Sequence, residues 1–440
     1  MITTQKNSFL KFIFKLLLCF LVIGCNSNQI KKKLSVNEAK LKDTSHSKID
    51  AIINVAETQY KGMLTTLKEE EFPKSTFDDG SLKKEKVEGW TSGFFPGSLW
   101  MLHQYTGKEF WKSEAEKKTA YLEPAQYYDF DHDMGFRVYC SYGKGYKITN
   151  KEEYKDILIQ AAKTLTKRFN EKVGLIKSWD RTTSWDGVTE WDYPVIIDNM
   201  MNLELLFYAY HQTQDEFFKN IAITHAENTI KNFYREDFST YHVVDFDPKT
   251  GEVKDKATFQ GYADNSAWAR GQSWGLYGFT VMYRETKNSK YLKQAENIAG
   301  YLMNHKKLPK DKIPFWDYYA EEEGYTPEYD YNPANFKDKP KDASSAAIMA
   351  SALYELSGFV NSSKQNKYKK YADQLILSLS SPKYLAESGK NNHFILKHNV
   401  GSLPHGAEID KPLVYADYYF LEALIRKRNL EKTDKLVSKL

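Results

Sequence analysis

The sequence predicts an all-helical fold, a closed ring of six helical hairpins with an inner and an outer layer. From Asp50 onward the apolar spacing is helical nearly everywhere, and period-2 runs typical of strands are scarce. Twelve helical segments follow one another as six consecutive pairs, and no linker rich in Pro, Gly or Ser divides them. An open helical solenoid is the main alternative, but we find no fixed-period motif of the kind such arrays display.

The connections before the later even-numbered helices are long. Long connections in a compact domain usually carry function, and here they contain Trp, Asp, Gly and Pro at 170–197, 235–264, 306–341 and 380–412. The predicted helices are 50–68, 92–105, 111–128, 132–144, 151–169, 198–211, 214–234, 265–285, 288–305, 342–359, 365–379 and 413–428.

The N-terminus predicts export and lipid attachment. Residues 8–24 combine early lysines with a short apolar run, which indicates a signal peptide over 1–24. The ending Leu-Val-Ile-Gly-Cys resembles a bacterial lipobox, so Cys25 is the expected lipidation site; a plain signal peptide containing a cysteine is the alternative. We expect a polar tether over 25–49 and a catalytic domain over 50–430. With no acidic cluster after Cys25, we expect the periplasmic face of the outer membrane, with the lipid anchor as the only membrane contact.

Composition and charge narrow the function classes. The chain is 41% hydrophobic and 27% charged, which suits a large core and excludes a disordered polymer. Its formal net charge is only +4, so a nucleic-acid partner is not expected. The 9 Trp, 31 Tyr and 25 Phe residues are compatible with stacking on sugar rings, although aromatic residues mostly fill cores.

In a closed ring the inner helices all begin at the same mouth. Polar clusters stand at those beginnings: residues 89–93, 131–133, 198–199, 260–270 and 342–344. Each cluster alone could be a helix cap, because Asp, Asn and Ser accept hydrogen bonds from free backbone N–H groups. Capping does not explain the tryptophans beside them, so we expect a binding site at this mouth.

Two aspartates are candidates for acid–base chemistry. Asp198 lies in the largely apolar stretch 193–203, where burial would raise its pKa toward that of a general acid. Asp133 is the candidate second acid, with Asp131 as the competing choice. HExxH and CxxC patterns do not occur, and isolated histidines such as His132 and His242 more often donate hydrogen bonds to substrate than bind metal. We therefore expect no metal and no cofactor.

Five segments together resemble the unsaturated glucuronyl hydrolases, glycoside hydrolase family 88. They are GWTSGFFPGSLWMLHQYTG (89–107), DHDMGFRVYCSYG (131–143), VIIDNMMNLELLFYA (195–209), YADNSAWARGQSWGLYGF (262–279) and YADYYFLEALIR (415–426). The resemblance implies an (α/α)6 barrel. It also implies removal of a 4,5-unsaturated uronic acid from the non-reducing end of oligosaccharides that polysaccharide lyases produce.

The resemblance also implies roles for single residues. Asp198 would donate a proton to C4 of the enol ether and then take one from the water that attacks C5, and Asp133 would be the second catalytic aspartate. Arg270 could instead be an internal salt-bridge partner, and Trp179 and Trp185 compete for one stacking position. The positions implied to line the sugar pocket are Trp90, His132, Trp179, Trp185, His242, Gln260, Trp268, Arg270 and Trp274.

One departure from the family pattern concerns sulfate. Some members that act on sulfated fragments carry Ser-x-x-Ser-x-Lys before the last helix, whereas residues 401–406 here read Gly-Ser-Leu-Pro-His-Gly. Ser402 and His405 remain as possible sulfate contacts, but the lysine is missing. The alternatives for function are an unsaturated rhamnogalacturonyl hydrolase of family 105, an inverting α/α-barrel glycosidase acting on saturated sugars, and a non-enzymatic glycan-binding lipoprotein.

Overall fold

The computed structural model describes residues 48–437, with side chains up to residue 433. The chain divides into two units, Met1–Ile53 and Asn54–Leu440. In the first unit the described residues 48–53 are helical, so the helix begins two residues before the predicted start of the catalytic domain. The predicted signal peptide, Cys25 and nearly all of the predicted tether lie outside the described residues.

The second unit contains the twelve helical segments that the sequence predicts. The outer layer consists of α1 (54–66), α3 (Glu109–Ala120), α5 (Glu152–Thr166), α7 (Glu216–Phe233), α9 (Ser289–Asn304) and α11 (Ser362–Leu379). The inner layer consists of α2 (Phe94–Thr106), a π-helix (Gly135–Gly143) that continues as α4 (Lys144–Thr149), α6 (Leu203–Thr213), α8 (Ala269–Thr286), α10 (Ala343–Ser357) and α12 (Val414–Val437).

The inner helices close into a ring. Each contacts the next in chain order, and α12 returns to contact α2. Helices α8 and α10 are buried over nearly their whole length, as expected for helices covered on both sides. Gly93 allows the close approach of α2 to the π-helix, because a Cβ there would lie 2.2 Å from the carbonyl oxygens of Phe136 and Arg137. The predicted (α/α)6 barrel is confirmed.

Several helices differ in detail from the prediction. The last, expected over 413–428, extends to Val437. The segment expected at 111–128 ends at Ala120 and is followed by a separate 3-10 turn, Glu123–Tyr127, since Pro124 has no N–H to continue a helix. The segment expected at 132–144 begins at Met134 and is mainly π-helical; the N–H of Gly135, in its first turn, donates to Asn202 Oδ1 at 2.8 Å. A 3-10 turn, Ile197–Asn202, precedes α6.

The described strands are short and all lie in the connections between helices. Most form two-stranded hairpins; β7, β8 and β9 form an antiparallel three-stranded sheet in which Val195 pairs with Val244. The strands are β1 (Phe72–Thr76), β2 (Leu82–Glu85), β3 (Phe169–Asn170), β4 (Leu175–Ile176), β5 (Thr182–Thr183), β6 (Glu190–Trp191), β7 (Pro194–Ile196), β8 (Val243–Phe246), β9 (Val253–Ala257), β10 (Asn399–Ser402) and β11 (Ala407–Lys411). Within residues 48–437 no helix has the length and apolarity needed to cross a membrane.

Candidate active site

The three-stranded sheet brings Asp198 and His242 together. Strand β7 leads directly into the 3-10 turn that carries Asp198, while His242 immediately precedes β8. The N–H of Ile197 donates to the carbonyl oxygen of His242 at 3.1 Å, which extends the pairing by one residue. As a result, His242 Nε2 lies 3.9 Å from Asp198 Oδ2.

The surroundings of His242 decide which of its nitrogens carries the proton. Its Nδ1 accepts from the backbone N–H groups of Phe259, at 2.9 Å, and Gln260, at 3.2 Å. Burial lowers the pKa of His242 well below its ordinary value, so the ring is neutral and its single proton is on Nε2. The Nε2–H therefore faces the Asp198 carboxyl. Within the described residues neither this nitrogen nor Asp198 Oδ2 has a hydrogen-bond partner.

Burial changes the acidity of Asp198. Loss of solvent raises its pKa from 3.8 to about 7, although the positive charge of Arg270 acts in the opposite direction. The indole N–H of Trp274 also lowers the pKa slightly by its proximity, without forming a hydrogen bond. Asp198 can therefore hold and release a proton near neutral pH, as a group acting as both acid and base requires.

The two remaining candidate acids have different environments. Asp131 is bound by Arg137 through two hydrogen bonds of 2.6 Å, and these outweigh burial and lower its pKa. The pKa of Asp133 is raised well above its ordinary value by burial and by the negative charges of Asp131 and Asp198. Asp131 is thus committed to an internal ion pair, while Asp133 is the carboxyl that interacts with Asp198.

His132 lies between Asp133 and Asn202, the residue that directly precedes α6. Its Nε2 lies 3.5 Å from Asp133 Oδ1, and burial lowers its pKa to about 4, so the ring is neutral. Its Nδ1 lies 3.5 Å from Asn202 Nδ2, and Asn202 also bonds to Asn199 Oδ1 at 2.8 Å. Sequence reasoning missed Asn202 and Arg137 as supports of the site, although both stand in the motif segments.

Arg270 is held by an extensive internal network. It donates to Asp342 Oδ2 at 3.2 Å and to the carbonyl oxygens of Val400 and Gly401 at 2.5 Å each. It also donates to Gln260 Oε1 at 3.2 Å. The salt-bridge alternative for Arg270 is therefore present in the structure. Its buried Nε has no partner within the described residues, and its charge still acts on Asp198.

Aromatic rings form the inner wall of the site. Trp268 lies 4.6 Å from the His242 ring and 4.3 Å from the Arg270 guanidinium. Trp90 and Trp274 both pack on Phe136, at 5.5 and 5.2 Å between ring centroids. Trp274 thus lies beside Asp198 and Trp268 beside His242, an arrangement of aromatic rings suited to a sugar ring.

Trp179 and Trp185 have different neighbours. Trp179 lies 6.2 Å from His242, whereas Trp185 lies farther out and packs on Phe259 and His405 at 5.1 and 4.8 Å. Phe259 also contacts Trp179, at 5.3 Å, and so stands between the two tryptophans. The structure therefore places Trp179 with the inner site residues and Trp185 at the rim.

His405 is tied to Ser402, since its Nδ1 lies 2.6 Å from the Ser402 hydroxyl oxygen. Burial lowers the pKa of His405, although the charge of Glu408 opposes this shift. In the part of the chain that the structure describes, no group of three or more His, Cys, Asp or Glu residues could hold a metal ion. The buried thiol of Cys140 lies outside this site, and burial raises its pKa to about 12.

The chain is similar to proteins with a common activity. No protein-family model matches it. It is 46% identical over 348 residues to an unsaturated glucuronyl hydrolase of Formosa agariphila, covering 79% of this chain and 82% of the relative. It is 33% identical over 368 residues to an unsaturated chondroitin disaccharide hydrolase of Streptococcus pneumoniae, covering 81% of this chain and 86% of the relative.

The solved structures similar to this chain are also unsaturated glucuronyl hydrolases. A crystal structure of an unsaturated glucuronyl hydrolase specific for heparin matches with a TM-score of 0.80 and 42% identity, covering 88% of this chain and 98% of that one. The unsaturated glucuronyl hydrolase of Streptococcus agalactiae matches with a TM-score of 0.75 and 30% identity, covering 86% and 91%. From the level of identity and the share of each relative that is covered, this chain belongs to the family of unsaturated glucuronyl hydrolases.

Proposed function

We propose that this chain removes a 4,5-unsaturated uronic acid from the non-reducing end of lyase-generated oligosaccharides by hydrating the enol-ether double bond. The observation that carries the proposal is Asp198, a buried carboxyl with a pKa of about 7 whose Oδ2 has no partner among the described residues. A protein that only binds glycans has no need of such an acid. The relatives are named as glucuronyl or chondroitin disaccharide hydrolases, which supports this function over the rhamnogalacturonyl, saturated-sugar and glycan-binding alternatives.

The proposed reaction uses Asp198 twice. The protonated carboxyl gives its proton to C4, and positive charge develops at C5 and the ring oxygen. The resulting carboxylate then takes a proton from the water that adds to C5, which restores the acid. The product is a hemiketal, which rearranges and releases the remaining saccharide from C1. A carboxyl with a pKa near neutrality can perform both steps without a second proton donor.

The neighbouring groups hold Asp198 and the sugar in place. The Nε2–H of His242 lies on the Oδ2 side of Asp198 and is fixed there by the two backbone donors to Nδ1. Burial and the negative charges of Asp131 and Asp198 raise the pKa of Asp133, which favours its neutral form beside Asp198. We assign to it the positioning of Asp198 or of a ring hydroxyl.

The test is turnover of lyase-generated disaccharides, followed by loss of the absorbance of the conjugated double bond. The panel includes sulfated and unsulfated disaccharides, because Ser402 and His405 remain as possible sulfate contacts while the lysine of the family pattern is missing. Asp198→Asn should lower kcat by roughly 10²–10⁴-fold. Asp156→Asn, on the outer helix α5, is the control and should have normal activity. An Asp198→Asn variant with more than about half of the wild-type kcat would refute the assignment.

We further propose that Cys25 carries a lipid that anchors the protein at the periplasmic face of the outer membrane. The proposal rests on the Leu-Val-Ile-Gly-Cys ending and the polar residues after it. Cys25→Ala should release the protein from the membrane fraction or block its maturation, and unchanged anchoring would contradict lipidation. Digestion by protease added to intact cells would place the protein on the cell surface instead.

A further inference from the structure

Five buried polar atoms of side chains at the candidate active site have no hydrogen-bond partner within residues 48–437. Buried polar atoms are normally paired, so several unpaired ones at one place are what a binding site needs before its ligand arrives. Four of them belong to residues that the sequence predicts for the site, and the fifth is a tyrosine hydroxyl that it does not. The atoms are Asp198 Oδ2, His242 Nε2, Arg270 Nε, Trp274 Nε1 and Tyr415 Oη.

Tyr415 stands at the mouth of the barrel. It is the second residue of the inner helix α12 and is only 1% exposed. Its ring lies 5.1 Å from the ring of Trp90 and 5.2 Å from the guanidinium carbon of Arg270. The same guanidinium carbon lies 4.3 Å from the ring of Trp268. Tyr415 therefore continues the aromatic wall of the site on the side of Arg270 that Trp268 does not cover.

The charges that act on the Tyr415 hydroxyl show where this end of the ring is turned. Burial raises its pKa above the ordinary value, although the charge of Arg270 opposes this shift. The negative charges that add to the shift are those of Asp342, Glu408 and Asp198. These groups stand at the starts of inner helices or on the β10–β11 hairpin, so the hydroxyl faces the mouth. It also keeps its proton and is a hydrogen-bond donor.

The ion pairs around the hydroxyl decide what kind of group it can bind. Arg270 pairs with Asp342 at 3.2 Å, and Lys83 pairs with Glu408 at 2.5 Å. These pairs leave no excess of positive charge for an anion. A neutral O–H donor, however, needs only an uncharged acceptor oxygen, and a hydroxyl of a sugar ring is one.

We propose that the Tyr415 hydroxyl donates a hydrogen bond to a ring hydroxyl of the unsaturated uronic acid and is a further substrate-binding residue. The proposal rests on the proposed function and adds a residue to its site. A 4,5-unsaturated uronic acid at the non-reducing end keeps ring hydroxyls only at C2 and C3, so the acceptor is one of these two oxygens.

The first test is Tyr415→Phe, which removes the hydroxyl and keeps the ring. KM for the unsaturated disaccharide should rise about three- to tenfold, the usual effect of one neutral hydrogen bond. The value of kcat should change less than about twofold, because the bond is made in the ground state and in the transition state alike. The Tm should not fall, since the hydroxyl has no partner among the described residues.

Tyr371→Phe is the matched control. It removes another buried hydroxyl that has no partner within residues 48–437, from the outer helix α11. KM and kcat should both equal those of the wild type. An increase in KM in this variant that matches the increase in Tyr415→Phe would show that the effect does not come from the site.

Two further measurements separate sugar binding from other roles of Tyr415. Calorimetric titration with the disaccharide should give a Kd about three- to tenfold higher for Asp198→Asn/Tyr415→Phe than for Asp198→Asn. The pH profile of kcat/KM should keep its midpoint near 7 in Tyr415→Phe. A shifted midpoint would mean that the hydroxyl acts on Asp198 instead of the sugar.

Three outcomes would overturn the proposal: a wild-type KM in Tyr415→Phe, a shifted pH profile, and a fall in Tm without a change in KM, which would reveal an internal partner of the hydroxyl. The proposed function has its own readout, because it fails if the wild type hydrolyses no unsaturated disaccharide. In that case the titrations still decide about Tyr415. Equal Kd values for Asp198→Asn with and without Tyr415→Phe, or no binding by either, refute its role.

Discussion

Asp198→Asn should stabilise the folded chain at alkaline pH. The pKa of this carboxyl is raised from 3.8 to about 7 by burial, whereas in the unfolded chain it returns to its ordinary value. Between these two pH values the folded protein binds a proton that the unfolded chain does not. The free energy of unfolding therefore falls by about 1.4 kcal/mol for each pH unit as pH rises. Above pH 7 the buried, ionised carboxyl lowers the free energy of unfolding by about 4 kcal/mol in total.

An asparagine cannot ionise, so it removes this cost. The substitution breaks no hydrogen bond at Asp198 Oδ2, because this atom has no hydrogen-bond partner within the described residues. The variant should gain up to about 4 kcal/mol over the wild type at pH 8 and almost nothing at pH 4. For a domain of about 390 residues this gain corresponds to an increase in Tm of roughly 5 °C.

The assay is thermal unfolding by circular dichroism at pH 4 and pH 8. Asp417→Asn is the matched control, since burial also raises the pKa of Asp417, to about 8. Its two oxygens, however, accept from the backbone N–H groups of Ile395 and Leu396 at 2.8 Å each. An amide N–H would oppose one of these donors, so this variant should lose stability at pH 4 and gain less at pH 8 than removal of the charge alone would give. A Tm of Asp198→Asn at pH 8 that is equal to or below that of the wild type would refute the reasoning.

Four further predictions concern catalysis and packing. Because the protonated form of Asp198 is the acid, kcat/KM should fall about tenfold per pH unit above a pH near 7; a profile flat to pH 9 would contradict this role. Asp133→Asn should be severely impaired in the disaccharide assay, and normal activity would move the second-acid role to Asp131. Prolonged treatment with a chelator should leave the rate of disaccharide hydrolysis unchanged. A loss of activity that added divalent ions reverse would show that the enzyme requires a metal. Gly93→Ala should lower the Tm, because its Cβ would lie 2.2 Å from two carbonyl oxygens of the π-helix; an unchanged Tm would show that the helices can separate there.

The barrel could be predicted because its signal is local and repeated. Helical spacing recurs in every pair of segments, and the inner helices α8 and α10 are buried around most of their circumference because both sides are covered. The early end of α3 also has a local cause, Pro124, which the prediction passed over. The π-helix has no such local signal. It begins where Asn202, 67 residues away in sequence, takes the hydrogen bond of Gly135.

The sequence alone determined which residue types gather at the mouth of the barrel, because helix starts and their polar clusters are visible in the chain. Only the tertiary structure decided how those residues are charged and paired. Arg137 neutralises Asp131 and so distinguishes it from Asp133, and the backbone N–H groups of Phe259 and Gln260 place the proton of His242 on Nε2. A carboxyl or an imidazole changes its protonation with the charges and donors within a few ångströms, and only the folded backbone decides which groups stand at that distance.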